Sequence, residues 1–446
     1  MNILYLVSKK RFDMILGRYL QNYGRVIFVT NSPGETLSFM ENGLTTIDAL
    51  RAISSYTPVD KKVLSSCPWE KTLAEVECYR LAKSDQEKRR IRDFFLRYLN
   101  MLLAVIKKNN IDVCLCHERD FLDTGCAEVA SQLSDIRTYY FSTGFFRGKT
   151  LSVAPERIRF TDCDIWEKRI QQNLQKPPLA KELPKADYLD EKLKKPSVLS
   201  QWLSRLQVVT SPEKRCLLSY LRPKRPLLEA IYHKHKKRKI RSYKQLAVDI
   251  KEPFVLVPLQ GNEVFNLVKN PFGIKDMEHL SEVVINAVTR LNKRMKTNFQ
   301  VVLKEHPFRP FVIKENFTRD FPGTILLRKY DMNELLKKAS LIVTFNSLAG
   351  FEALQIDKPV VTLGPIFYGL KGMVYQPDKI EALHDAMWQA MTHDTDKEKL
   401  GRLISYLKIK YEVEADRRKP TGKGLYNIAL KVLANDTLDP KSGLKN

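Results

Sequence analysis

The chain of 446 residues has no apolar run approaching the roughly eighteen residues that a membrane-crossing helix needs, which excludes a protein built of such helices. Its first residues, Asn2-Ile3-Leu4-Tyr5-Leu6-Val7, lack the layout of a signal peptide and read as a strand. The expectation is a soluble cytoplasmic chain, with at most a peripheral place on the inner face of the inner membrane. Cysteine is sparse and unpaired in pattern. The seven, Cys67, Cys78, Cys114, Cys116, Cys126, Cys163 and Cys216, are odd in number and irregularly spaced, which argues against a disulfide framework. No CxxC or histidine spacing accompanies Cys114 and Cys116, which alternate within an apolar strand pattern and read as reduced core residues rather than zinc ligands.

Acidic residues are in deficit. Against 75 Lys and Arg stand 51 Asp and Glu, a formal charge of +24, and an excess that large points to a polyanionic partner. No zinc finger or aromatic RNA-binding pattern accompanies the charge, so nucleic acid is not expected. The densest basic run, Tyr232 to Arg241, is flanked by Arg222, Lys224, Arg225 and Lys244. It suits an anionic membrane surface, where each nearby cation contributes on the order of 1 kcal/mol. The same run also fits the solvated face of a connecting helix.

The length exceeds what one ordinary core supports, and the pattern divides accordingly. Residues 1–165 alternate strand-like and helix-like segments: strands at Ile3 to Val7, Arg25 to Thr30, Val113 to Cys116 and Thr138 to Phe141, with helical spacing over Lys71 to Lys108. Residues 166–250 shift to Lys, Pro and Leu and read as a basic helical linker. Residues 251–390 alternate again, from the strand Phe254 to Leu259 through a helix over Asp276 to Arg294 to strands at Phe299 to Lys304, Thr324 to Leu327, Leu341 to Phe345 and Val360 to Leu363. Residues 391–446 read as C-terminal helices that pack back across the lobes, and a tail. Alternation of this kind implies two Rossmann-like α/β lobes on parallel sheets, with a ligand beyond the carboxyl ends of the strands.

The stretch from Lys304 to Gly372 carries the chemistry. A Lys304-Glu305-His306-Pro307-Phe308 turn is followed by Leu341 to Leu354, an apolar β-branched run, a small polar corner at Asn346 and Ser347, then a helix start. Unpaired N–H groups at such a corner, beside an amide and a hydroxyl, favour an anion. His306 alternatively serves as a turn residue ahead of proline, and Ser347 as a helix N-cap. Two Asp-x-Asp triplets, Asp162-Cys163-Asp164 and Asp394-Thr395-Asp396, lie away from any cleft-facing strand end, so no metal is expected.

Over residues 254 to 376 these elements resemble the Kps-type capsule polysaccharide β-Kdo transferases, two-lobed (GT-B-like) glycosyltransferases that use CMP-Kdo. Val302 to Pro307 is similar to their Lys-x-His-Pro element. Val343-Thr344-Phe345-Asn346-Ser347-Leu348-Ala349-Gly350 is similar to their Val-Thr-x-Asn-Ser-x-x-Gly. Lys358-Pro359, Gly364, Tyr368, Lys371 and Gly372 are similar to their closing segment. The resemblance implies that Lys304, His306, Asn346, Ser347, Gly350 and Glu352 bind the nucleotide, with His306 also assisting departure of the phosphate. It implies substrate contacts at Gln260, Asn262 and Lys371. It gives the 251–390 lobe to the donor and the 1–165 lobe, with Arg147 and Glu118, to the acceptor.

The family's nucleophile is an Asp in a Gln-x-x-Asn-Asp-Ser-Gln-Ile pattern. This chain has Leu259-Gln260-Gly261-Asn262-Glu263-Val264-Phe265-Asn266, one residue shorter and with Glu263 in the acidic place. A carboxylate at a strand end can form a glycosyl-enzyme intermediate and give net retention. Ahead of Gly144 the family's Glu-Glu is replaced by Ser142 and Thr143, neither of which can act as a base; Glu118 or Asp120 can substitute by position. The implied reaction is transfer of Kdo from CMP-Kdo to a lipid-linked or polysaccharide acceptor, with no cofactor. Neighbouring readings change the donor to CMP-sialic acid or another nucleotide sugar, or make the chain a non-catalytic capsule-assembly protein docked at the membrane.

Overall fold

The computed structural model describes residues 1–7, 10–118, 121–146, 150–155, 161–171, 183, 193, 197, 250, 253–262, 264–307, 312–314 and 316–433. Glu263, Arg147, Asp120, the basic run Tyr232 to Arg241 and the tail after Leu433 lie outside them. The described residues form two compact units. The first holds 1–155 and 407–433, the second 161–171 and 253–406. The sequence pattern set the linker at 166 and grouped everything after 390 as terminal helices. Packing divides the chain elsewhere. The helix Cys163–Ile170 belongs to the second unit, where Trp166 lies against Phe367 and Tyr406.

In the first unit, β1 (Asn2–Leu6), β2 (Arg25–Thr30), β3 (Thr46–Asp48), β4 (Val113–His117) and β5 (Arg137–Thr143) are mutually parallel. The apolar β-branched and aromatic runs of β1, β2, β4 and β5 are buried on both faces, as a parallel sheet covered by helices requires. Two antiparallel strands that the alternation did not reveal close the edge: β6 (Thr150–Ala154) and β12 (Glu412–Glu414), giving the order β12-β6-β5-β4-β1-β2-β3. After β12 the helix Gly422–Leu433 buries Leu425, Ile428, Ala429 and Val432 in one cluster with Phe12, Leu16 and Leu20 of the helix Lys10–Leu20.

The helical spacing read over Lys71 to Lys108 is three helices, Trp69–Glu75, Glu77–Arg80 and Asp85–Asn109. Two local signals break the run. Val76 adopts an extended conformation at the first junction, and Ser84 caps the long helix by accepting from Glu87 N at 3.2 Å.

In the second unit all five strands are parallel: β7 (Phe254–Pro258), β8 (Gln300–Lys304), β9 (Thr324–Leu327), β10 (Leu341–Thr344) and β11 (Val360–Thr362), in the order β11-β10-β7-β8-β9. From β7 the chain lays β8 and β9 to one side and β10 and β11 to the other. Connections therefore diverge between β7 and β10, leaving a crevice at the carboxyl ends of those two strands where open α/β sheets bind ligands. The helix Met277–Met295 covers the sheet with Met277, Leu280, Val284, Val288 and Leu291. It starts where Asp276 accepts from His279 N at 2.8 Å.

Candidate functional site

Strand register brings three expected residues to one level. Pro258 pairs with Lys304 and Leu256 with Ile342, so two residues beyond β7 the position of Gln260 aligns with His306 beyond β8 and Asn346 beyond β10. Backbone pairing continues past the strand ends, with Leu259 N donating to Lys304 O at 2.9 Å. Gln260 and Asn346, 86 residues apart, meet across the point of divergence. Gln260 Nε2 donates to Asn346 Oδ1 at 3.1 Å, and Asn346 N donates to Gln260 Oε1 at 3.3 Å. Both side chains are partly buried, as is His306, so the row is reachable from solvent.

The other expected residues divide between this row and the frame that carries it. Ser347 caps the helix Leu348–Leu354, its Oγ accepting from Ala349 N at 3.2 Å while its own N–H donates to Thr344 Oγ1 at 3.1 Å. The buried Tyr368 hydroxyl donates to Ser347 O. Gly350 faces that ring: a Cβ there would lie 2.8 Å from Tyr368 Cζ and closer still to the hydroxyl, so Gly350 is the space Tyr368 occupies. Glu352 is half-buried near the same ring. Burial first, then the Glu352 carboxylate, raises the Tyr368 phenol pKa.

Lys304 is 4% exposed and turns its ammonium inward, donating to Glu305 O at 2.7 Å and Arg328 O at 3.3 Å. Here it ties the ends of β8 and β9 together beneath His306. Burial lowers its pKa from the usual 10.5, with Glu305 acting in the opposite sense. Asn262 accepts from Met277 N at 2.9 Å and so anchors the start of a helix. The Lys371 side chain is exposed, while its carbonyl accepts from Lys399 Nζ at 2.9 Å. In the first unit Glu118 follows β4, its N–H donating to Phe141 O at 2.9 Å.

Several polar groups that sequence reasoning passed over are buried at the same kind of place. Glu305, 0% exposed, pairs with Arg328 Nε at 3.2 Å. In the first unit the connections diverge between β1 and β4. There Asp13 accepts from Tyr5 OH at 3.1 Å and lies 3.6 Å from His117 Nε2. Nearby Asn31 donates to Asp123 Oδ2 at 2.8 Å. The one available signal was a strand end followed by His, Asn or Asp. Of the two Asp-x-Asp triplets, Asp162 precedes the helix Cys163–Ile170 and Asp396 accepts from Lys399 N at 2.9 Å, so both stand at helix starts. Among the described residues no group of three or more His, Cys, Asp or Glu is arranged to hold a metal ion, and no helix is long and apolar enough to cross a membrane.

Two α/β sheets, the first mostly and the second wholly parallel, with a polar row at the second's point of divergence, define a protein of two Rossmann-like lobes. More particularly, the chain belongs to the capsule polysaccharide biosynthesis protein family, whose family model matches residues 125–411. It is 30% identical to Protein FixF of Sinorhizobium fredii over 141 residues, 31% of this chain and 33% of that protein. It is 28% identical to the capsule polysaccharide export protein KpsS of Escherichia coli over 159 residues, 33% of this chain and 38% of that one. The chain thus spans about a third of the length of the curated relatives it matches.

Among solved structures, the β-Kdo 2,4 transferase of Thermosulfurimonas dismutans KpsC gives a TM-score of 0.36 at 14% identity, covering 72% of this chain and 87% of that one. The β-Kdo 2,7 transferase of the same protein gives 0.30 at 15% identity, covering 77% and 98%. The UDP-GlcNAc 2-epimerase of Methanocaldococcus jannaschii gives 0.33 at 14% identity, covering 91% and 99%. At such scores these likenesses carry no functional weight.

Proposed function

We propose that the chain is a retaining glycosyltransferase that moves Kdo from CMP-Kdo to a lipid-linked or polysaccharide acceptor in capsule synthesis. The observation that carries this reading is the Gln260–Asn346 pair at the divergence of β7 and β10, level with His306. Polar groups that accept and donate at that crevice suit the phosphate and base of a nucleotide. Membership of the capsule family supports a sugar nucleotide over other nucleotides.

In the proposed reaction the Glu263 carboxylate attacks the anomeric carbon. The bond to the CMP phosphate oxygen breaks, and His306 gives a proton to the leaving phosphate. The acceptor hydroxyl then attacks the same carbon, loses its proton to a general base, and releases Glu263, so two inversions give retention. Arg147 pairs with the acid group of sugar or acceptor, and Lys371 lies on the donor side. Lys304 serves by holding the β8 and β9 ends rather than by touching phosphate, since its ammonium is committed to two carbonyls. The proposal calls for no metal or cofactor. It gives the protein a peripheral place on an anionic membrane surface through its basic run.

The test is incubation with CMP-Kdo, following CMP release and the mass of the tryptic peptide bearing Glu263. A Kdo adduct on Glu263 that is lost in Glu263→Gln, together with a fall in CMP release of about 10²-fold or more in His306→Gln, is the expected result. Full turnover in Glu263→Gln would remove the nucleophile assignment.

A further inference from the structure

The geometry points to Gln260 as the residue that sets the polarity of the site: it holds Asn346 with its Nδ2 donor outward, so that this position takes a ligand oxygen or nitrogen that accepts. This deepens the CMP reading and rests on it.

Amide oxygen and nitrogen are hard to tell apart by shape, so the direction of an Asn–Gln contact is normally open. Here a backbone group decides it. The N–H of residue 346 can only donate, so the Gln260 atom 3.3 Å from it is the carbonyl oxygen Oε1. The other Gln260 amide atom is then Nε2, which has only protons to offer. The Asn346 atom 3.1 Å from Nε2 must accept and is Oδ1. Asn346 Nδ2 is left pointing out of the relay, and among the described residues nothing accepts from it. Turning either amide over would set two donors or two acceptors face to face, at a cost comparable to leaving a polar group unmade.

The outward donor sits at the crevice between β7 and β10, level with His306. It therefore favours an acceptor and rejects a donor, the asymmetry by which hydrogen-bonding sites discriminate most strongly. In CMP the strong acceptors are the phosphate oxygens and, on the base, the cytosine O2 and N3. Proximity to the His306 turn favours the phosphate. Gln260 is a positioning residue: it acts through Asn346, not on the nucleotide.

The experiment is titration calorimetry of the full chain with CMP and with cytidine, for wild type, Gln260→Met, Asn346→Ala and the double variant. Thermal melting of each confirms that it folds. The substitutions are neutral, so charge does not confound the comparison. Expected is a loss of CMP affinity of about tenfold or more in Asn346→Ala, and a loss in Gln260→Met that vanishes when Asn346 is already Ala. A CMP-to-cytidine affinity ratio that falls with the loss assigns the donor to phosphate. Equal losses on both ligands assign it to the base, which is the same chemistry from the other source. CMP binding unchanged in the folded single variants, or additive losses in the double variant, would overturn the role of Gln260. A wild-type chain with no affinity for CMP sinks the nucleotide reading itself, and that outcome is visible before any variant is made.

Discussion

Replacing Gly350 by alanine isolates the packing that supports the Asn346–Ser347 corner. In an ordinary helix the change would stabilise by up to about 1 kcal/mol, because glycine loses more backbone freedom on folding. Here the new methyl would stand 2.8 Å from Tyr368 Cζ and 3.0 Å from Cε2, with the hydroxyl nearer still. Tyr368 is fully buried and its hydroxyl donates to Ser347 O, so the ring cannot yield without losing that bond. Overpacking costs about 1 to 3 kcal/mol and the hydrogen bond about 0.5 to 1.5, for a gross loss of about 2 to 4 kcal/mol. After the propensity gain, a net loss of about 1 to 3 kcal/mol remains. In a unit of this size that corresponds to a drop in melting temperature of about 2 to 12 °C. Differential scanning fluorimetry with urea titration reads the loss, and a cycle with Tyr368→Phe locates it. Removing the hydroxyl takes away the closest clash, so Gly350→Ala should cost at least about 1 kcal/mol less in the Phe background. A Gly350→Ala variant as stable as wild type, or additive losses in the cycle, would refute the packing argument.

Ser347→Ala should cost about 1 kcal/mol through the lost cap on Ala349 N; a fall in CMP affinity beyond that stability loss would mark the hydroxyl as a ligand contact too, and an unchanged midpoint would deny the cap. Arg328→Met leaves the fully buried Glu305 carboxyl without its guanidinium partner. The expected loss is about 3 to 5 kcal/mol of unfolding free energy by urea titration, and a loss below about 1 kcal/mol would show that the pair is dispensable. In the first unit, burial brings the Lys431 ammonium from 10.5 down to about 7 beside Glu412, whose carboxyl is itself raised by burial. A basic group with a lower pKa when folded binds fewer protons than the unfolded chain between those values, so stability rises with pH from about 7 toward 10.5. Glu412, with a raised folded value, acts in the opposite sense just above pH 4.5, where stability falls as pH climbs. Lys431→Met should flatten the alkaline rise in melting temperature relative to wild type, and an identical slope in the two proteins would contradict it.

The sequence alone determined the two α/β units and the strands that build them. Apolar β-branched runs of four to six residues between turn signals favour strands covered on both sides, and runs such as Phe254–Pro258 and Leu341–Thr344 declare themselves locally. It also determined the helix starts at Asp276 and Ser347, because a cap is a contact within three residues. The order of the His-Pro turn and the Asn-Ser corner was equally legible, and it identified the family.

What only the tertiary structure decided is what each polar residue touches. The strand β12, 258 positions or more beyond its partner β6, completes a sheet that no local pattern announces. Lys304 looked like a phosphate ligand, yet its ammonium lies inside, on two carbonyls, because the β8 and β9 ends close over it. Gly350 looked like a nucleotide glycine and is the hollow that receives Tyr368. Gln260 and Asn346 are neighbours solely because the chain sets β10 beside β7, and strand order is a property of the whole sheet's packing. Local patterns fix what a residue can do; the long-range pairing of strands fixes which partner it does it with.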